Sequence, residues 1–342
     1  MTCTLTPAAS PTRSPSQTPK PANTKAGTGS TSGSQAASGR TAAGRKRMTM
    51  TPAQRAKLSN DTFRITGPAL LSFSGGETSA LMTAKVIEAH GGKLPDDVLI
   101  CFANTGKEDS RTLHFVHNCE THWGHRIHWL ERDGKKGFRE VGFNSASRQG
   151  EPFTALLRDK RYLPNAVTRF CTIELKIRVM KHFAMSLGWD HWSNIVGLRA
   201  DEMHRVARAR KPNRERWTTL LPLADAGITK RDVKAYWAMQ PFRLELLPFE
   251  GNCDGCFLKA RPKLWEIERT SPGTLQWWAD AEAEAEVASL VGKSSGTRFV
   301  TEYSYAELIQ DVRRQPDLFA GGLFNDDPDM DAECGLWCGE VP

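Results

Sequence analysis

The stretch LLSFSGGETSALM, residues 70–82, constrains the architecture of this chain more than any other. Leu70 to Phe73 is a short apolar run of the kind that forms a strand buried on both faces. From Thr78 to Ala89 the apolar residues Leu81, Met82 and Val86 recur at helical spacing. Two adjacent glycines stand between these segments. A strand that becomes a helix across Ser-Gly-Gly aims the first N–H groups of that helix into the crevice at the carboxyl end of a sheet, where they attract an anion. Gly75 and Gly76 admit positive φ and close backbone approach, and Ser74, Thr78 and Ser79 add hydroxyl groups. Phosphate or pyrophosphate suits such a loop. It is not a Walker A loop, because no Gly-Lys-Ser/Thr follows, and it is not the dinucleotide G-x-G-x-x-G.

Around this turn the pattern is α/β. Strands are expected within 96–106, where the apolar core is continuous, at 125–132, and from 191 into a loop near 202. Helices are expected at 109–124, capped by Asp109 or Ser110, at 172–187, and at 229–239, capped by Thr229. This alternation predicts a doubly wound, mostly parallel, Rossmann-like sheet. Residues 133–170 carry Gly and Arg without periodicity and read as an irregular insertion. Residues 260–315 read as mainly helical. The expected organisation is a disordered tail over 1–60, a nucleotide-binding domain over 61–240, a helical cysteine-bearing region over 241–320 and a mobile cysteine-bearing tail over 321–342.

The net charge of +7 first points to nucleic acid. All of the excess lies in the first 50 residues, which hold seven Lys or Arg and no Asp or Glu. The remainder is balanced, so the charge says little about the site. That tail is rich in Ser, Thr, Ala, Pro and Gly and too poor in large apolar residues to offset the entropy of ordering. No apolar stretch approaches the roughly 20 residues that span a bilayer. A soluble, cytoplasmic protein is expected, with no membrane partner. The segment RVARARKPNRER, 205–216, reads either as a solvated basic loop or as a phosphate or nucleic-acid contact.

Eight cysteines in a chain of this size do not resemble a disulfide framework. Cys101 and Cys119 fall in a strand and a helix, where Cys is a small buried apolar residue. Cys171, Cys253, Cys256, Cys334 and Cys338 fall in polar loops or element ends and read as metal-binding or redox groups. Cys253-x-x-Cys256 has chelating spacing; free thiols or a redox disulfide are the alternatives.

Several segments together resemble one family. Ser-Gly-Gly-x-x-Ser after a buried strand looks like the PP-loop of ATP pyrophosphatases and sulfonucleotide reductases. FANTGKEDSRTLHFV, RFCTIELK, VGLRADE, LLPLADAGITKRDVKAYW and ECGLW are similar, in the family's order, to segments of phosphoadenosine and adenosine phosphosulfate reductases. The resemblance runs over about residues 68–340. It implies the adenine-nucleotide α-hydrolase fold. Ser74, Gly75, Gly76, Thr78 and Ser79 would cradle a phosphate or sulfate. Thr105, Gly106 and Glu108 would border the nucleotide, and Arg169, Lys176 and Arg199 would face its anionic end. An ion pair with Asp201 or Glu202 is the plainer role for Arg199, and helix capping is the plainer role for Glu108. Glu77-Thr78 stand where many pyrophosphatases have Lys-Asp, which removes a charge from the triphosphate side.

In cluster-bearing members of the family an upstream Cys-Cys joins a downstream Cys-x-x-Cys around a cubane. Here Cys171 is single, so Cys171, Cys253 and Cys256 would take a fourth thiolate from Cys338 or Cys334. Such a set suits a 4Fe–4S cluster first and tetrahedral zinc second. The family's terminal Glu-Cys-Gly-Leu-His cysteine attacks the sulfonyl sulfur, which would make Cys334 the nucleophile. Trp337 replaces the His. The function implied is sulfonucleotide reduction with a thioredoxin- or glutaredoxin-type reductant. The alternatives are ATP-dependent adenylation with sulfur transfer to tRNA or DNA, and a non-catalytic nucleotide- or cluster-binding module.

Overall fold

The computed structural model describes residues 60–135, 137–290 and 296–315. Its centre is a six-stranded sheet of β1 (Ala69–Ser72), β2 (Val98–Ala103), β3 (Ile127–Asp133), β4 (Gly137–Val141), β5 (Trp192–Val196) and β6 (Trp217–Leu220), in the spatial order β4-β3-β2-β1-β5-β6. All pairs are parallel except β3–β4. Five parallel strands therefore follow a doubly wound Rossmann-like order, and an antiparallel strand is added at one edge. The chain leaves β1 towards β2 on one side and returns to β5 on the other. The carboxyl end of β1 is thus the point where the winding reverses, and the crevice there belongs to the Ser-Gly-Gly turn.

Around the strands lie α1 (Glu77–Ala89), α2 (Ser110–Trp123), α3 (Glu151–Lys160), α4 (Arg178–Ser186), α5 (Met203–Ala209) and α6 (Lys230–Trp237). Three further helices, α7 (Arg261–Thr270), α8 (Gln276–Leu290) and α9 (Tyr305–Arg314), follow. Neighbouring β1 residues point to opposite faces. Leu71 joins Leu81, Val86, Phe102, Val116 and Trp129 in one core layer, while Leu70 joins Leu130, Val179, Phe183 and Trp192 in the other. Both faces are covered, so β1 is wholly buried. A third apolar cluster belongs to the helical region and centres on Trp265, Trp278, Phe299 and Tyr305.

The stretch 133–170 departs from expectation. It holds β4 and α3 rather than irregular chain. GFREV is half-exposed at a sheet edge and has no apolar run to announce it. Helix α3 buries only Pro152, Phe153 and Leu156. The helix expected from Thr172 is also modified. A turn at Phe170–Thr172 leads into π-helical Ile173–Ile177 before α4 begins. Among the described residues no helix is long and apolar enough to cross a membrane.

Candidate functional site

Gly75 has φ +82°, and a Cβ built on it would lie 2.7 Å from Thr112 Cγ2. A side chain there is excluded both by conformation and by space. Gly76 then opens α1 with extended backbone and no side-chain cap. Ser79 closes the turn on itself: its hydroxyl accepts from the Ser74 N–H at 3.1 Å, lies 2.9 Å from the Ser74 hydroxyl and donates to the Gly76 carbonyl at 3.0 Å. The serines thus shape the loop, leaving the start of α1 as its anion-attracting element. Gly197, at the end of β5, was not singled out from sequence. A Cβ on it would be 2.9 Å from Ser79 Cα, so the next strand presses directly against the loop.

Arg199 makes the ion pair that was the plainer role considered for it. Its Nε donates to Asp201 Oδ1 at 3.1 Å, and its backbone N–H donates to Glu202 Oε2 at 2.8 Å. Its Nη1 also reaches Thr78 Oγ1 at 3.3 Å. This buried guanidinium is held by two acids against the first turn of α1.

Across the crevice, Glu108 caps its own turn. Its Oε2 accepts from both the backbone and the hydroxyl of Thr105, each at 2.8 Å. The π-helical turn buries Lys176 and places its ammonium 3.4 Å from Glu108 Oε1. Gly106, with φ +80°, has Gly150 Cα 3.1 Å from where a Cβ would stand, and its carbonyl accepts from the Gly150 N–H at 2.9 Å. Behind this turn lies a network that sequence reasoning missed. Glu131 is fully buried and accepts from Asn104 Nδ2 at 2.7 Å, the Ser147 N–H at 2.7 Å, the Ser147 hydroxyl at 2.9 Å and Arg139 Nη2 at 2.6 Å. Asn104 Oδ1 in turn accepts from the Gly106 N–H at 3.1 Å. The available signal was an acid at the end of an apolar strand.

The Cys-x-x-Cys turn lies against both loops. The Asp109 N–H donates to the Asn252 carbonyl at 2.7 Å, and the Asp254 N–H donates to the Lys107 carbonyl at 3.0 Å. Glu108 and Cys253 form an antiparallel bridge. Asn252 Nδ2 donates to the Ser74 carbonyl at 3.0 Å, which ties the cysteine turn to the glycine loop. Lys107 pairs with Asp254 at 2.7 Å, and the Trp278 indole donates to Asp254 at 2.9 Å. The Cys253 thiol is pushed well above its ordinary range by its hydrogen bond to Cys256 and by burial, with Lys259 opposing. The Cys253 thiol is therefore held protonated at neutral pH.

Cys171 packs on the same helical apolar cluster as Cys253. Among the described residues, no three His, Cys, Asp or Glu side chains converge as a metal-binding group. Two thiols in contact do not by themselves fit a four-thiolate cluster or zinc site. Cys334 and Cys338 lie outside the described residues. Arg169 is half-buried at the entry to the turn at Phe170. Much of the 205–216 charge is paired locally: Arg205 with Glu202, Arg210 with Asp225 at 2.6 Å and Arg216 with Asp190 at 3.3 Å. Those contacts favour the solvated-loop reading.

Fold and site together define an α/β protein with an anion-attracting glycine loop at its topological switch point and a dithiol turn beside it. No family model matches the chain. It is 29% identical over 206 residues to an uncharacterized nin region protein, ORF290, of Escherichia phage lambda, over 57% of this chain and 67% of that protein. Among solved structures it is similar to a phosphoadenylyl-sulfate reductase from Candida auris in a phosphate complex, with TM-score 0.37, 13% identity, and coverage of 56% of this chain and 87% of that one. It is also similar to the U34-tRNA thiolase NcsA from Methanococcus maripaludis with its 4Fe–4S cluster, with TM-score 0.38, 13% identity, and coverage of 81% and 84%.

Proposed function

We propose that this chain is a PP-loop enzyme of sulfonucleotide chemistry, binding adenosine phosphosulfate or its 3′-phosphorylated form. The observation that supports this most is the hydrogen bond from Asn252 to the Ser74 carbonyl, which joins a cysteine-bearing turn to an anion-attracting loop. The nucleotide's anionic end rests on residues 74–79, with Thr105, Gly106 and Glu108 along its border. Arg199, Lys176 and Arg169 supply positive charge, and Arg199 is suited to it because a guanidinium fork pairs with two oxyanion oxygens.

In this reading the Cys334 thiolate attacks the sulfonyl sulfur. A sulfur–sulfur bond forms, the sulfur–oxygen bond to phosphate breaks, and the adenine nucleotide leaves with that electron pair. A dithiol reductant of thioredoxin or glutaredoxin type then attacks the cysteine sulfur. Sulfite leaves and the reductant ends as a disulfide. No step runs through a metal cluster.

Titration of the purified protein with ATP and both phosphosulfate nucleotides tests the reading, followed by an assay for sulfite. Tighter binding of a phosphosulfate nucleotide and sulfite release that Cys334→Ser abolishes are expected. Preference for ATP with formation of AMP and pyrophosphate would replace it by adenylation and sulfur transfer. Nucleotide binding without turnover would leave a binding module.

A further inference from the structure

The turn that follows β2 is tied down by its own protein. The Asn104 N–H donates to the Leu130 carbonyl at 2.8 Å, the Thr105 N–H to Glu108 Oε2 at 2.8 Å, the Gly106 N–H to Asn104 Oδ1 at 3.1 Å and the Lys107 N–H to Thr105 Oγ1 at 3.3 Å. Every backbone donor from 104 to 107 is therefore spent inside the fold. One of these bonds depends on a side-chain amide that can turn over. Flipped, Asn104 would set its Nδ2 against the Gly106 N–H, donor against donor. Two acceptors oppose the flip. Asn104 Nδ2 donates to Glu131 Oε1 at 2.7 Å and to the Ser147 carbonyl at 2.9 Å, which leaves Oδ1 facing Gly106.

Glu131 is fully buried in β3. A carboxylate gives up its hydration on burial, and an apolar side chain of similar volume often serves stability as well. Here both oxygens are filled by donors from three separate segments. Oε1 accepts from Asn104, after β2, and from the Ser147 N–H, before α3. Oε2 accepts from the Ser147 hydroxyl and from Arg139, which stands directly opposite on β4.

We infer that Glu131 is a positioning residue for nucleotide binding: its Oε1 sets the orientation of the Asn104 amide, and Asn104 holds the turn at Gly106 in the form the nucleotide meets. This role rests on the reading that Thr105, Gly106 and Glu108 border a nucleotide. A turn fixed beforehand spares the ligand the cost of ordering it. What the relay requires at position 131 is an acceptor in the Oε1 place, not a charge. In Glu131→Gln the carbonyl oxygen can keep that place. The amide nitrogen then takes the Oε2 place, where the Ser147 hydroxyl can accept and the half-exposed Arg139 can turn into water. Glu131→Met has similar length and no acceptor. The Ser147 N–H then loses its partner and competes for Asn104 Oδ1, drawing it away from Gly106.

Two measurements on the full chain test this. Amide hydrogen exchange at Gly106, without nucleotide, reads the turn. Calorimetric titration with ATP and both phosphosulfate nucleotides reads binding. Glu131→Met is expected to speed exchange at Gly106 about tenfold or more and to weaken nucleotide binding about fivefold. Glu131→Gln should stay within about twofold of the parent on both readouts, because it keeps the acceptor. Asn104→Ala should match Glu131→Met. Adding Glu131→Met to Asn104→Ala should then weaken binding by less than about 1.5-fold further, since residue 131 acts through Asn104. An acid with a merely structural role would give losses that multiply in the double variant and follow the fall in melting temperature, and that result would overturn the inference. Parent-like exchange and affinity in Glu131→Met would overturn it as well. Should Glu131→Met fail to fold, the other two single variants decide: parent-like exchange in Asn104→Ala, or a fivefold loss of affinity in Glu131→Gln of about the size set for Met, counts against the relay. A parent chain that binds none of the three nucleotides would remove the sulfonucleotide reading, while exchange at Gly106 would still decide whether Glu131 holds the turn.

Discussion

Gly75 and Gly255 each stand in a tight turn beside the crevice, and each excludes a side chain for a different reason. At Gly75 the reason is largely local: β1 must reverse into α1 through a residue of φ +82°, with Thr112 packed underneath. At Gly255 it is remote. A Cβ there would lie 2.3 Å from the Trp278 indole nitrogen, and the Gly255 carbonyl accepts from the Tyr305 hydroxyl at 2.6 Å. The glycine loop is therefore shaped by the strand-to-helix geometry that contains it. The cysteine turn is shaped by helices that come later in the chain. Damage to the helical region should loosen the second turn while leaving the first nearly intact.

The strongest way to break this contrast is Trp278→Ala. The indole is fully buried among Phe153, Phe257, Phe299 and Tyr305. Its removal should cost about 3–5 kcal/mol in chemical denaturation. It also deletes the bond to Asp254, so Cys256, buried in the native fold, should react faster with a thiol reagent. Nucleotide affinity should change less than threefold under conditions where the variant is folded. A proportionate loss of nucleotide binding would show that the two turns are one cooperative unit.

Gly75→Ala probes the other side. Left-handed backbone costs an L-residue about 1–2 kcal/mol, and crowding against Thr112 adds about 1–3 kcal/mol. A stability loss of about 2–5 kcal/mol is expected, together with at least a tenfold loss of nucleotide affinity by titration calorimetry. Thiol reactivity at Cys253 and Cys256 should stay near that of the parent protein.

The same contrast separates what the sequence discloses from what it hides. β1 and β2 are visible as apolar runs because their burial is dense, and β3 is visible through its alternation. The glycine loop is visible because its constraint lies within six residues. β4 is hidden because GFREV is a half-exposed edge that exists through pairing with β3. The π-helical turn is hidden because one extra residue per turn hardly disturbs the apolar spacing of the helix around it. Asn252 and Glu131 escape for a third reason. Asn252 lies 178 positions from Ser74, and Glu131 acts on Gly106 through Asn104. Such partners are chosen by topology, and residue type alone does not announce them. Cys253-x-x-Cys256 sits between these cases. Its spacing is legible, while its position against the glycine loop is not.

A smaller test acts on the remote reason alone. Tyr305→Phe keeps the ring and removes only the hydroxyl that satisfies the Gly255 carbonyl. Leaving that buried acceptor unpaired should cost about 1–3 kcal/mol in equilibrium unfolding. Cys256 should become moderately more reactive, with nucleotide binding unchanged.

The smallest effect is expected where the two regions meet. Asn252→Ala removes the amide that donates to the Ser74 carbonyl but leaves the backbone pairing of the cysteine turn with residues 107–109 in place. A neutral hydrogen bond of this kind contributes about 0.5–1.5 kcal/mol. The Ser74 carbonyl is only partly buried, so water can replace the lost donor and stability should fall by no more than about 1 kcal/mol. Binding should respond differently. If the bond helps to hold Ser74 in its loop conformation, nucleotide affinity should fall about threefold to fivefold, matching the conformational freedom returned to the loop. Asn252→Asp separates the two contributions, because it keeps the shape, lacks the donor and sets a negative charge against the Ser74 carbonyl. A greater affinity loss in Asp than in Ala would identify the contact as a coupling between the turns. Equal and negligible losses would show that the two turns are neighbours that do not communicate.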